Sequence, residues 1–91
     1  MTHKTDNHYK VTAKVRNGLG VIARMTIMLR KFNVNIQSFD VEALDDEKRF
    51  YNIHFVLDST KDNREFEVVM KKLERLIPVV KVDFTKQPNG Q

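Results

Sequence analysis

The run Arg16-Asn17-Gly18-Leu19-Gly20-Val21-Ile22-Ala23-Arg24 leads from an alternating segment directly into a helical one, and it is the stretch of this chain best suited to hold an anion. The first amides of a helix lack an internal acceptor and carry partial positive charge, so a carboxylate or phosphate settles there when the backbone can come close. Gly18 and Gly20 permit that approach. Gly18-Leu19-Gly20-Val21-Ile22-Ala23 also fits the G-x-G-x-x-A spacing of a dinucleotide loop, with Asp40 about twenty residues further on. The flanks argue against a nucleotide. A dinucleotide fold opens with a parallel strand buried on both faces, whereas Lys10, Thr12 and Lys14 occupy every second position here, and the chain is too short for two mononucleotide halves.

Other chemistries fare less well. The chain has no cysteine, which excludes disulfides, thiolate metal sites and a cysteine nucleophile. His3, His8 and His54 lack zinc-ligand spacing, and Asp45-Asp46-Glu47 reads as a solvated turn rather than an acid/base centre. Gly20-Val21-Ile22-Ala23-Arg24 resembles the Gly-Val-x-x-Arg loop of acylphosphatases, small basic enzymes in which the arginine and nearby amides would clamp a phosphoryl group. Nothing else in the chain fits that family's pattern, and Arg24, between apolar positions 22 and 25, is expected to face solvent. Tyr9, Phe50 and Tyr51 are possible stacking platforms for RNA, but Arg49-Phe50-Tyr51-Asn52-Ile53-His54-Phe55 lacks the glycine spacing of a ribonucleoprotein motif, and Tyr51, Ile53, Phe55 and Leu57 share a core phase. No catalytic constellation remains.

The elements that position the glycine-bearing turn follow from periodicity. Ninety-one residues make one domain that buries roughly 60% of its unfolded surface. Sixteen Lys and Arg are interleaved with twelve acids, for a net charge of +4, which suits a solvated surface better than a nucleic-acid stripe. No apolar leader or long apolar run appears, so a soluble, cytoplasmic protein without a membrane role is expected. Residues 1–7 and 86–91 read as frayed tails around a domain at 8–85. Tyr9, Val11, Ala13 and Val15 form one face of a first strand; Val21, Ile22, Met25, Met28, Leu29 and Phe32 form the stripe of a helix that Asn33 ends. A second strand spans 34–43 with a change of phase at Gln37-Ser38 that predicts a bulge. After a turn at 44–48 a third strand covers 49–57. Asp62 and Glu65 then form a capping box for a second helix, with Phe66, Val69, Met70, Leu73, Leu76 and Ile77 on one side. Pro78 stops it, and a last strand covers 79–84. The order β-α-β-β-α-β predicts an α+β, ferredoxin-like sandwich: a four-stranded antiparallel sheet with both helices on one face.

Over residues 9–84 the chain resembles ACT domains, small-molecule sensing modules of that fold. The resemblance is carried by Arg16-Asn17-x-x-Gly20-Val21-Ile22-x-Arg24 and by Phe32-Asn33-Val34-Asn35-Ile36-Gln37-Ser38. Together these look most like the short form of the regulatory small subunit of acetolactate synthase, although a proline common before the family's loop glycine is Leu19 here. The resemblance implies a non-catalytic regulatory subunit in branched-chain amino-acid synthesis. It would activate a catalytic subunit and bind valine for feedback control. The chain itself would carry no cofactor; its partner would hold thiamine diphosphate, magnesium and an optional FAD. A free-standing ACT sensor for another enzyme, or an RNA-recognition-like binding module, is the alternative.

The implied effector site comprises Asn17, Leu19, Gly20, Val21, Ile22, Asn35 and Ile36. Amides around Leu19 to Ile22 suit a carboxylate, the Asn17 and Asn35 amides both donate and accept, and Val21, Ile22 and Ile36 suit an apolar side chain. Asn17 equally suits a helix cap and Asn35 a strand entry. An intervening helix of about twelve residues separates the two asparagines by roughly 18 Å. A small ligand touching both therefore requires two chains about a two-fold axis, a homodimer through the first helix and second strand.

Overall fold

The computed structural model describes residues 6–16 and 20–88. Its elements run β1 (Asn7–Arg16), α1 (Val21–Lys31), β2 (Asn35–Ala43), β3 (Phe50–Ser59), α2 (Asn63–Glu74) and β4 (Val79–Gln87). The strands form one antiparallel sheet in the order β2-β3-β1-β4, so β1 and β3 are central and β2 and β4 are edges. This is the ferredoxin-like α+β arrangement that the alternating and helical periods imply.

The alternation of β1 sets the two layers. Tyr9, Val11, Ala13 and Val15 are all buried, and pair across the sheet with Leu57, Phe55, Ile53 and Tyr51 of β3. Directly paired residues share a face, so this face carries the core. The helices close it with Val21, Met25 and Leu29 from α1 and Phe66, Val69, Met70 and Leu73 from α2. The Tyr9 ring stacks on Phe66 at 3.6 Å, and its hydroxyl donates to the Lys61 carbonyl at 2.7 Å. Burial, and then the carboxylates of Asp62 and Glu65, push that phenol above its ordinary range.

Helix ends follow the chemistry of their sequences. Asp62 accepts from the Glu65 amide at 2.8 Å while Glu65 accepts from the Asp62 amide at 3.0 Å, completing the expected capping box. Asn33 adopts φ 62°, and the Asn33 and Val34 amides donate to Arg30 and Leu29 carbonyls at 3.0 and 2.8 Å. That pair of bonds is a Schellman end, with buried Val34 against buried Leu29 as its apolar contact. The β2 register shifts between Ile36 and Ser38, as the phase change implies, so Ile36 and Phe39 face the helices together despite their odd spacing.

Two expectations change. Ile77 is 79% exposed instead of lying on the α2 stripe, because α2 ends at Glu74 and residue 77 falls outside its helical phase. The last strand continues through Lys86 and Gln87, which pair with Tyr9 and His8 of β1.

Candidate functional site

Gly20 immediately precedes α1 with φ −62° and ψ −20°, values open to any residue, so the fold does not demand glycine there. A Cβ added at Gly20 would meet nothing within 4 Å. Among the described residues, none fills the space at that position. Among the described residues, no side chain caps α1, and its first turn contains no acid. The amide end retains its partial positive charge.

The candidate residues divide by environment. Asn17 and Leu19 lie outside the described residues. Val21 is 1% exposed and its side chain belongs to the core, where helical phase sets it with Met25 and Leu29. Ile22 and Ile36 are half-buried and pack on the core's margin, leaving part of each side chain accessible. Asn35 is exposed and opens β2 opposite Asp58. The eleven residues of α1 put about 16 Å between Gly20 and the strand entry. Along one protomer that length of helix keeps Gly20 and Asn35 apart.

The second feature is the helix-side face of edge strand β2. Phe39 and Val41 pair with Phe55 and Ile53, which are 1% and 0% exposed, yet Phe39 and Val41 themselves are 46% and 38% exposed. The residues are on the core side of the sheet, but among the described residues they are only partly covered. Leu44, just beyond, is 41% exposed. The strand's outer edge also presents unpaired backbone groups, the usual template for another strand.

Other singled-out residues are accounted for locally. Tyr9 is fully buried, Tyr51 packs against the core, and the Phe50 ring lies under Lys14 at 5.0 Å and Arg16 at 5.5 Å, so the three do not form a stacking platform for RNA. Asp45 accepts from the Arg49 amide at 2.8 Å and the Phe50 amide at 3.3 Å. Desolvation pushes its carboxyl up, but these bonds and the Arg49 guanidinium outweigh it and hold it below the usual range. It organises the turn. Arg24 is exposed as expected, but its guanidinium also donates to the Ile77 carbonyl. His54 lies between Thr12 Oγ1 at 3.1 Å and Glu42 Oε1 at 3.0 Å on the helix-free face, a partnership that spacing along the chain does not reveal. Among the described residues no group of three or more His, Asp or Glu could hold a metal ion, and no helix is long and apolar enough to cross a membrane.

Solved structures supply the comparison. The ACT domain of GTP pyrophosphokinase from Chlorobium tepidum matches with a TM-score of 0.69 at 19% identity, over 88% of this chain and 99% of that one. This chain has an ACT-like fold. The C-terminal domain of the MgtC protein from Mycobacterium tuberculosis matches at TM-score 0.76 and 13% identity, over 100% of this chain and 98% of that domain. A homoserine dehydrogenase from Thiobacillus denitrificans matches at TM-score 0.67 and 18% identity, over 89% of this chain and only 17% of the enzyme. No family model and no curated protein matches the sequence.

Proposed function

We propose that this chain is a non-catalytic regulatory module that binds a small amino acid between two copies of itself. The partly covered helix-side face of β2 carries the reading: Phe39 and Val41 occupy core-facing positions that a second copy would complete. A two-fold axis beside β2 would bring the open amide end of α1 in one protomer toward Asn35 and Ile36 of the other. The ligand's carboxylate would take the amides preceding and opening α1, its ammonium the asparagine side-chain oxygens, and its apolar side chain the accessible parts of Ile22 and Ile36. Binding both copies at once tightens one dimer geometry, and that differential affinity is all that regulation requires.

The Asn17-x-x-Gly20-Val21-Ile22 and Asn35-Ile36-Gln37-Ser38 segments support a finer assignment: the regulatory subunit of acetolactate synthase, with valine as effector and a thiamine-diphosphate enzyme as partner. A thermal-shift panel of the twenty amino acids tests the first part. Stabilisation by a branched-chain amino acid, rising with the logarithm of excess ligand, is expected; no response to any amino acid contradicts effector binding. Activation of a purified acetolactate synthase catalytic subunit tests the second part. A ligand response without activation would indicate a sensor for another enzyme.

A further inference from the structure

Between α1 and α2 runs an open groove of about 550 Å³. Met28, Phe32 and Leu76, which pack against the core, provide its apolar floor, and Ile27 adds an isoleucine that is 65% exposed. The remaining lining is Arg24, Lys31, Lys72 and Arg75, with no acidic residue among them. Two smaller depressions share residues with it. One adds Val68 and Lys71, the other Arg30, and again neither includes an acid.

The helices keep their carboxylates out of this surface. α1 contains no acidic residue, and each acid of α2 is engaged elsewhere. Glu65 completes the capping box, Glu67 lies 3.9 Å from Lys71, and Glu74 accepts from the Val82 amide at 2.9 Å. Among the described residues Arg30, Lys31, Lys72 and Arg75 form no ion pair. Helix-dipole complementarity explains cations in the last turns, whereas Arg24, in the first turn of α1 where the dipole disfavours positive charge, is held by its hydrogen bond to the Ile77 carbonyl. Cations from opposite ends of the chain thus converge on one apolar trough, and Lys72 rests 5.8 Å from the centre of the Phe32 ring.

We propose that this groove docks an acidic amphipathic helix of a partner protein. A helix with an apolar stripe at i, i+3, i+4 and i+7 fills the floor, and Asp or Glu flanking that stripe meets the cations on both walls. The unpaired charge extends from Lys72 and Arg75 on α2 to Lys31 and Arg30 on α1, further than one small anion can reach. A second copy does not fit, since neither helix of this chain has free acids beside an apolar stripe. The groove is separate from the β2 face. At 100° per residue, Arg24, Met28 and Lys31 fall on one flank of α1, with Ile22 and Thr26 on the other, so docking and pairing through β2 can coexist. The inference is independent of whether an amino acid binds.

The test is selection of a displayed library of ~16-residue random peptides on the full chain, followed by fluorescence anisotropy of the enriched peptides. Enrichment of acidic sequences with helical apolar spacing is expected, with amide shifts confined to α1 and α2. The double variant Lys72→Glu/Arg75→Glu, altered at two exposed positions, should keep its fold and any amino-acid thermal shift while binding the peptides at least about tenfold more weakly. Neutral or basic enriched peptides, equal affinity for the double variant, or shifts outside the groove would overturn the proposal. So would retention on phosphatidylserine vesicles with no peptide enriched, which would assign the surface to a membrane.

Discussion

Phe39→Ala probes the β2 face most sharply, because the side chain serves two contacts of different size. A phenylalanine buries 150–250 Å² when enclosed, so the 46% that remains exposed amounts to about 90 Å². At ~25 cal/mol per Å², covering it stabilises each protomer's side of an interface by about 2 kcal/mol. A two-fold interface counts it twice, giving about 4 kcal/mol, or roughly a 10³-fold weaker dimer for the alanine variant. Within the chain, the ring meets Phe55 at 5.8 Å with a 45° tilt, and losing the roughly 110 Å² already covered costs the protomer about 3 kcal/mol at the same coefficient. Sedimentation equilibrium gives the first number, and denaturant unfolding at concentrations where both forms are monomeric gives the second. A dimer constant changed by less than about threefold, in a variant that has lost the expected fold stability, would remove β2 from the interface.

Three further outcomes follow from the geometry. Gly20→Asp should leave fold stability unchanged or a few tenths of a kcal/mol higher, since its Cβ meets nothing and its charge complements the helix end, while amino-acid stabilisation disappears; thermal melts with and without ligand read both effects. Asp62→Ala removes the cap of α2 and should cost about 1 kcal/mol in chemical denaturation. Asp45→Asn should destabilise the β2–β3 turn at neutral pH. Because the native carboxyl lies below its ordinary value, its contribution is present above the unfolded-state pKa and fades as pH falls through the depressed one, so melts of the two proteins should converge in acid.

The fold was legible where local chemistry and long-range packing agree. Alternation from Tyr9 to Val15 marks a strand buried on one face, Asp62 and Glu65 mark a helix start, and the phase change at Gln37 marks the bulge that realigns Ile36 with Phe39. Ile77 was misplaced because a periodic stripe does not reveal where a helix stops. The candidate site was legible only as segments. Periodicity identified Val21 and Ile22 alike as helix-stripe residues, but three-dimensional packing makes one core and leaves the other partly accessible. The α1–α2 groove was hidden for a related reason: Arg24 and Lys31 are separated from Lys72 and Arg75 by more than forty residues, so their charges look dispersed along the chain. Glu42 and His54 likewise meet only through strand pairing.

In the proposed function, two copies share each effector. Amide-resolved titration of the dimer and of monomeric Phe39→Ala with a stabilising amino acid tests it directly. Gly20 and Ile22 should shift together with Asn35 and Ile36 at a single dissociation constant in the dimer, with no saturable shifts in the monomer. Equal affinity in the monomer, or shifts at only one of the two segments, would contradict it.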